Sequence, residues 1–246
     1  MNPEEYRRMA DHESVSWWYV GMRRIARTLL TPLLPEGGQR PRRILDAGCG
    51  TGWNLQDLSC FGETHGLDLS PLAVVAAQKR GGRVVQGDLL ALPYRSRTFE
   101  VVTSFDVLYH AWIKDDARTV CELARVLKPG GLMLLKVPAL RILWGAHDEA
   151  VHTRHRYTRG ELEALLEQAG LTLIRSTYAN SLLFPVLLSR RFLDRLLNRD
   201  GSDVALLPPL LERIFGALMA LEAGLISMFN LPIGASVFAV ARKPDA

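Results

Sequence analysis

Short apolar runs alternate with helical patterns over most of this chain. Seven runs have the character of strands, and they surround residues 44–45, 66–68, 84–85, 98–104, 132–137, 171–175 and 235–241. Between them, residues 71–80, 114–127 and 159–169 have helical spacing, with Ser70 as the expected N-cap and Gly170 as the expected C′ residue. Such alternation implies right-handed crossovers, so the pattern predicts one doubly wound, mostly parallel α/β sheet.

Two further segments flank this predicted core. Residues 3–31 have a helical pattern, so residues 1–41 are interpreted as an N-terminal helical cap before a core of residues 42–179. An apolar insert, residues 180–231, carries two predicted helices at 181–198 and 208–229, and residues 232–246 hold the last strand. Glu212, Arg213 and Glu222 interrupt the second of these helices, so it lacks the charge-free run that a membrane-spanning helix needs.

The insert has several interpretations. Its first helix sets apolar residues against Arg190, Arg191, Arg195 and Arg199. A basic amphipathic helix of this kind can rest on an anionic membrane. It can equally form a substrate lid or plain core, or the interface of a homodimer, and the pattern leaves these alternatives open.

The clearest chemical signal is a glycine turn after the first strand. Asp46 ends that strand, and Gly48, Gly50 and Gly52 then leave bare backbone where a ligand can lie. The spacing is neither the dinucleotide fingerprint nor a phosphate loop, and no Lys or Arg follows before Lys79. An acidic mouth repels phosphate and attracts a sulfonium, so the turn predicts S-adenosyl-L-methionine as cofactor.

Two more carboxylates follow the next two strands. Asp68 comes twenty residues after Gly48 and is expected to accept hydrogen bonds from both ribose hydroxyls. Asp88 ends the third strand, where the exocyclic amine of adenine could donate to it. Because the carboxyl ends of parallel strands share one edge of a sheet, these acids predict a single cofactor cleft.

Four ordered motifs, at residues 44–52, 66–70, 87–89 and 127–131, resemble those of class I S-adenosylmethionine-dependent methyltransferases. The resemblance implies a Rossmann-like seven-stranded sheet with an antiparallel last strand and an N-terminal helix over the cofactor. In that family the last strand returns by a tight hairpin, whereas here about fifty residues intervene. The further cofactor contacts that the resemblance implies are Cys49, Leu69, Leu89, Phe105, Tyr19 and Arg23.

One group of catalytic candidates follows the fourth strand. Tyr109 and His110 are expected to approach the transferred methyl group. His110 resembles a histidine common at this position in small-molecule methyltransferases. Alternatively, it holds its loop through a hydrogen bond to Asp115 or Asp116.

A second group lies in the loop after the fifth strand. His147 or His152 is expected to be a general base oriented by Asp148. The residues expected to bind an anionic part of the acceptor are Arg154, His155, Arg156 and Tyr157. Alternatively, the arginine and tyrosine at the end of this list pin the loop to the next helix. Histidines with carboxylates can bind zinc or iron, but the neighbouring arginines and the lack of a cysteine argue against a metal.

Composition narrows the picture. The 246 residues, 48% of them hydrophobic, suit one large α/β domain, and a net charge of +4 from scattered arginines does not argue for nucleic acid. Cys49, Cys60 and Cys121 lack CxxC spacing, and no apolar signal segment is visible at the amino terminus. The cysteines and the lack of a signal segment favour a cytoplasmic location for the protein. The basic amphipathic helix of the insert adds the inner face of the membrane as a possible place of attachment.

The resulting hypothesis is an enzyme that transfers a methyl group, most simply to oxygen, from S-adenosylmethionine to a small-molecule acceptor. The acceptor is expected to be partly apolar and anionic, because the second loop and the apolar insert resemble a subgroup acting on lipid-like or polyketide-like acceptors or glycan intermediates. Two alternatives remain open: a catalytically silent, methyltransferase-like scaffold and an NAD-dependent oxidoreductase.

Overall fold

A computed structural model describes residues 12–35, 41–196 and 207–245. Seven strands form one sheet in the order β3-β2-β1-β4-β5-β7-β6. The strands are β1 Arg42–Ala47, β2 Gly62–Asp68, β3 Arg83–Gln86, β4 Phe99–Phe105, β5 Leu127–Pro138, β6 Thr172–Ala179 and β7 Ser236–Arg242. Strand β7 is antiparallel to β5 and β6, and the other pairs are parallel. The predicted Rossmann-like fold with an antiparallel last strand is confirmed.

Eight α-helices are found in the described residues. They are α1 Trp17–Leu30, α2 Trp53–Leu58, α3 Pro71–Lys79, α4 Asp116–Val126, α5 Ala146–Ala150, α6 Arg159–Gln168, α7 Phe184–Leu196 and α8 Pro209–Met228. Gly170 follows α6 with a φ of 75°, as its C′ position requires. Ser70 is the N-cap residue of α3, as predicted, although its side chain makes no capping hydrogen bond.

Several predicted boundaries were wrong because distant partners set them. The helix predicted at residues 114–127 was expected to be ended by residues 129–131, yet β5 already begins at Leu127. The Gly130 N–H donates to the Lys243 carbonyl at 2.8 Å, and the Lys243 N–H donates to Gly131 at 2.9 Å. Strand β6 likewise extends to Ala179 because β7 pairs with it throughout. Helix α1 begins only at Trp17, and predicted helical residues 3–11 lie outside the described part of the chain.

Helices cover both faces of the sheet. On one face, α4 and α6 bury Leu123 and Leu162 against the sheet. On the other face, α1 and α8 pack together and bury Ile25 and Met219. Helix α8 belongs to the predicted insert, so its inner face is part of the core. Within the described ranges, no helix has the length and apolar character needed to cross a membrane.

Candidate active site

A cavity of about 510 Å³ opens at the carboxyl ends of the strands. One end is formed by the turn after β1 together with the ends of β2 and β3. The other end is formed by β4, β5 and β7 with helices α5 and α7, and α1 lies along the cavity. A doubly wound sheet places its ligands at this edge, as the acidic strand ends predicted.

The glycine turn has the backbone that its sequence requires. Gly48, Gly50 and Gly52 have φ angles of 84°, 53° and 93°, which L side chains rarely adopt. A Cβ on Gly48 would lie 2.2 Å from a methyl carbon of Val107, whereas one on Gly50 would meet no protein atom within 4 Å. Gly50 therefore leaves open backbone at the cavity, where a ligand can lie directly against the chain.

Gly52 does not border the cavity, contrary to prediction. A Cβ there would lie 2.9 Å from the Cβ of Ala77, so the glycine permits close packing of the turn against α3. Cys49 does line the cavity and is buried, and burial beside Asp46 and Asp68 raises the pKa of its thiol strongly. It is therefore a thiol at neutral pH rather than a reactive thiolate.

Asp68 connects the end of β2 to the glycine turn. Its carboxylate accepts hydrogen bonds from the Gly50 N–H and the Ser70 N–H, each at 2.9 Å. Burial raises the pKa of this carboxyl group, although the two backbone donors oppose the shift. Each oxygen keeps a further lone pair, and the residue lines the cavity, so Asp68 can still accept from a ligand hydroxyl.

Asp46 lies beneath the turn rather than at its mouth. Its side chain is fully buried, and the Thr103 hydroxyl donates to Oδ1 at 2.7 Å. Burial raises its pKa to about 7, and Oδ2 is buried with no hydrogen-bond partner. The prediction that Asp46 attracts a sulfonium at the mouth of the turn is therefore wrong. The residue lies on β1 between β2 and β4, so its side chain is buried in the sheet instead of facing the cavity.

The remaining predicted cofactor residues border the cavity. They are Leu69, Asp88, Leu89, Phe105, Tyr19 and Arg23. Asp88 Oδ1 accepts from the Leu90 N–H at 2.9 Å and the carboxylate is exposed, which suits a contact with an amine. Arg23 is paired with Asp57 of α2 and donates to the Glu13 carbonyl at 2.8 Å, so it joins α1 to the glycine-turn side of the site.

We call the end of the cavity at the glycine turn the donor end, and the end at β4, β5 and β7 the acceptor end. Three predicted catalytic residues, Tyr109, His110 and His147, line the acceptor end. His110 Nδ1 lies 3.0 Å from the Val151 carbonyl, which can only accept, so Nδ1 carries the proton and Nε2 the lone pair. Burial lowers the pKa of His110 to about 4, so the ring is neutral at pH 7. His110 therefore bonds to a backbone carbonyl and not to the carboxylate of Asp115 or Asp116 that was the alternative prediction.

His152 does not reach the cavity. It has a φ of 55° and an exposed side chain, and its carbonyl accepts from the Ala111 N–H at 2.9 Å. His110 and Thr153 form an isolated backbone bridge, and this pairing of two loops turns His152 outward. The prediction of His152 as a general base is therefore corrected.

Most of the predicted acceptor-binding residues hold the loop instead of lining the cavity. Arg154 pairs with Asp116, and His155 Nε2 lies 3.2 Å from Glu161. The buried Tyr157 hydroxyl donates to Asp116 at 2.7 Å, beside the Leu108 carbonyl at 3.1 Å. The loop is therefore pinned, as in the alternative interpretation, but Tyr157 and Arg154 attach it to Asp116 of α4, whereas His155 provides the contact to the next helix, α6.

Arg156 lines the cavity, and a buried ion pair fixes it. Its guanidinium binds Asp148 through two hydrogen bonds, at 2.8 and 3.1 Å, and donates to the Ala139 carbonyl at 3.0 Å. Asp148 also accepts from the Gly145 N–H at 2.9 Å. Asp148 thus pairs with an arginine rather than orienting a histidine as predicted, and the pair sets the position of the short helix carrying His147.

Sequence reasoning missed Lys136 as a site residue. Its buried side chain lines the cavity, pairs with Asp106 and places Nζ 5.0 Å from the centre of the Trp18 ring. A lysine inside the otherwise apolar run 132–137 was the available signal. Glu13, which accepts from the Thr51 hydroxyl of the glycine turn, gave no such signal because its partner is 38 residues away.

The donor end fits S-adenosylmethionine on these observations. Gly50 offers a cradle that a Cβ would fill, and Asp68 and Asp88 present carboxylate oxygens along the same wall. Among the described residues, no group of three or more His, Cys, Asp or Glu side chains is arranged to hold a metal ion.

Comparison with known proteins agrees with this assignment. Residues 45–135 match the family described as "Methyltransferase domain". The chain is 34% identical over 135 residues to a Mycobacterium tuberculosis protein named "Probable S-adenosylmethionine-dependent methyltransferase", covering 52% of this chain and 48% of the relative. It is 36% identical to a malonyl-[acyl-carrier protein] O-methyltransferase of Enterobacter lignolyticus, covering 52% and 54%. The chain thus spans about half the length of these relatives.

Solved structures show the same fold. A Haloferax volcanii methyltransferase in complex with the Trm112 methyltransferase activator superposes with a TM-score of 0.62 at 19% identity, covering 98% of this chain and 95% of that one. A Haemonchus contortus phosphoethanolamine N-methyltransferase in complex with S-adenosyl-L-methionine gives 0.57 at 20% identity, covering 98% and 60%. These comparisons support a class I S-adenosylmethionine-dependent methyltransferase domain, matched over residues 45–135 of this chain.

Proposed function

We propose that the chain transfers a methyl group from S-adenosylmethionine to an oxygen of a small, partly apolar, anionic acceptor. One observation carries the proposal: a single cavity joins the glycine turn to His110 and His147. Donor and acceptor can therefore meet in one space lined by α1, without a second chain.

The donor end supports binding of the nucleoside and amino-acid parts of the cofactor. Asp68 would hold the ribose, Asp88 the adenine amine, and the backbone at Gly50 would lie against the ligand. When bound, S-adenosylmethionine supplies an already activated methyl group. The remaining task of the protein is to hold an acceptor in line in a dry site, which can contribute something like 7 to 11 kcal/mol.

The acceptor end favours an anion. Lys136, Arg156, Arg190 and Arg191 border it; Lys136 is paired with Asp106, Arg156 with Asp148, and Arg190 lies 3.7 Å from Asp194 of α7. The wall between these charges is apolar and includes Leu143, Leu187 and Phe238. Positive charge over an apolar wall suits a carboxylate or phosphate carried on a hydrocarbon body.

His110 would orient an acceptor hydroxyl through the lone pair on Nε2. Its low pKa makes it a weak base, so it accepts a hydrogen bond at neutral pH and receives the proton only as the methyl transfer proceeds. A carboxylate acceptor needs no base. Relatives of this chain include enzymes named for both acyl-carrier-protein and tRNA substrates, so both kinds of acceptor enter the turnover test.

Calorimetry with S-adenosylhomocysteine and NAD tests the donor. We expect micromolar binding of S-adenosylhomocysteine and none of NAD, because the glycine spacing and the acids disfavour a pyrophosphate. Binding of NAD alone would contradict the proposal and favour an oxidoreductase.

Release of S-adenosylhomocysteine with matched acceptors tests the other substrate. Medium-chain carboxylic acids and hydroxy acids are compared with amines of equal chain length and with bulk tRNA. We expect turnover with the acids only. Turnover with tRNA would contradict the proposed small-molecule acceptor but would still support methyl transfer. A lack of turnover with every acceptor, despite tight cofactor binding, would favour the scaffold alternative.

A further inference from the structure

The outer face of α8 carries an apolar seam. Its members are Leu210, Ile214, Ala217, Leu221, Gly224 and Met228, and all six are exposed. Their spacing is 4-3-4-3-4, which is the heptad spacing of a helix that packs along another helix. The seam contains no charged or polar side chain.

The opposite face of α8 already has its partners. Met219, Glu222, Ala223 and Ile226 are buried on that side, where α8 packs with α1 and the sheet. The Glu222 carboxylate accepts from the Ser181 and Leu182 N–H groups at 2.8 and 2.9 Å, so the helix is anchored. The outer seam has no comparable partner within the part of the chain that the structure describes.

The seam is self-complementary when two copies run antiparallel. With a two-fold axis at the level of residue 219, Ile214 faces Gly224 of the other copy and Ala217 faces Leu221. Leu210 then faces Met228. In the Ile214–Gly224 and Ala217–Leu221 pairs a branched side chain meets a small residue, whereas Leu210 and Met228 form an apolar contact at each end of the seam. A Cβ on Gly224 would meet no atom within 4 Å, so space for the partner's side chain is open.

Area and charge favour a second copy over a membrane. Leu210, Ile214, Leu221 and Met228 are 68%, 44%, 57% and 71% exposed. With the adjoining Leu211 and Phe229 they expose on the order of 600 Å², so a symmetric pair would bury on the order of 1,200 Å², the lower limit for a stable interface. Membrane-surface helices carry several Lys or Arg beside the apolar face, whereas α8 has Arg213 alone. We infer that this chain forms a two-fold symmetric dimer through antiparallel packing of α8.

Light scattering on the full chain tests the dimer. We expect twice the chain mass of 27.5 kDa at micromolar concentration. Leu221→Glu should shift the dissociation constant at least a hundredfold and give monomer, with an unchanged circular dichroism spectrum because the position is exposed. The control Leu72→Glu, on α3 and 53% exposed, should remain dimeric. A monomeric parent protein, or a dimer that survives Leu221→Glu, would overturn the inference.

Disulfide cross-linking tests the register. In a Cys60→Ser, Cys121→Ser background, the double variant Leu210→Cys, Met228→Cys should form covalent dimers under mild oxidation. Neither single variant should, because like positions at the ends of the seam are about 27 Å apart in an antiparallel pair, at about 1.5 Å per residue. Cross-linking of either single variant would reject the antiparallel register. A monomer that sediments with phosphatidylglycerol vesicles, and loses this with Leu221→Glu, would assign the seam to a membrane instead.

Discussion

At the scale of single residues, two glycines share a backbone conformation but differ in surroundings. Gly50 and Gly81 have φ angles of 53° and 81°, and a Cβ on either would meet no protein atom within 4 Å. Only Gly50 borders the cavity. Alanine substitution at both positions therefore distinguishes two effects. Both variants lose stability from the left-handed backbone, but only the one at Gly50 places a methyl group in the space of the ligand.

We predict that Gly50→Ala weakens S-adenosylhomocysteine binding at least tenfold, because the methyl group occupies space that the ligand needs. Gly81→Ala should lose a similar stability, about 1 to 2 kcal/mol for a left-handed L-residue, without a change in affinity. Calorimetry and thermal unfolding measure the two effects. Equal affinities in both variants would show that the ligand does not approach Gly50.

His110 gives stability a defined pH dependence. Its pKa is about 4 in the folded chain and near 6.5 when unfolded, so between these values only the unfolded state binds the proton. Its contribution is complete above pH 6.5 and is lost as pH falls through 4, by at most about 3 kcal/mol. Asp46 acts in the opposite direction, since its raised pKa makes its contribution fall as pH rises from about 4 to about 7.

The free energy of unfolding should therefore fall less steeply at acidic pH in the His110→Asn variant than in the parent protein. The asparagine amide can still donate to the Val151 carbonyl, so the loop is kept while the titrating ring is removed. Urea unfolding of both proteins from pH 4 to 8 measures the difference, in which the Asp46 contribution cancels. A constant difference across this range would contradict the buried neutral histidine.

At the scale of elements, the loop after β5 depends on one buried ion pair. Arg156 and Asp148 are 9% and 2% exposed as side chains, whereas Arg159 and Glu163 form a more exposed pair on α6. Breaking a buried pair leaves a charge without compensation, while an exposed pair contributes little.

Arg156→Met should consequently cost about 3 to 5 kcal/mol, because Asp148 remains buried and unpaired. The matched change Arg159→Met should cost about 0.5 kcal/mol or less. Thermal unfolding of both variants tests this. Similar losses would mean that water reaches Asp148 and that the loop is not held by this pair.

Helix packing makes a second prediction at this scale. A Cβ on Gly21 of α1 would lie 2.8 Å from Met219 Cβ, whereas one on Gly216 of α8 would meet nothing within 4 Å. Gly21→Ala should destabilise by about 1 to 3 kcal/mol through overpacking. Gly216→Ala should stabilise by up to about 1 kcal/mol through helix propensity. The opposite order in urea unfolding would show that α1 and α8 are not in close contact.

At the scale of the whole molecule, the insert and the core are parts of one packed unit. Helix α8 lies in the insert by sequence, yet Met219 and Ile226 share a buried cluster with Ile44 of β1 and Phe238 of β7. The insert and the core therefore share one hydrophobic cluster, although they are separate segments of the sequence.

We therefore predict one cooperative unfolding transition. Tryptophan fluorescence, which reports Trp17 and Trp18 of α1 together with Trp53, Trp112 and Trp144, should follow the same urea curve as far-ultraviolet circular dichroism. Two separated transitions would mean that α1 and α8 unfold independently of the sheet.

Local signals explain what could be predicted from this sequence. The strands follow from apolar runs of strand length, and the glycine turn follows from three alternate glycines directly after the first strand. The order of the acids after successive strands then placed Asp68 and Asp88 along one cavity. Each of these properties depends on neighbours in sequence or on the general topology of parallel sheets.

The direction in which individual side chains point was decided by tertiary structure. Asp46 turns inward because Thr103 of β4 meets it, His152 turns outward because its loop pairs with the one after β4, and Lys136 reaches the cavity beside Asp106. The sequence alone therefore specifies the fold and, apart from Asp46 and Gly52, the residues that line the cavity at the glycine turn. The acceptor end required long-range contacts, since its residues come from loops and helices that meet only after the sheet has formed.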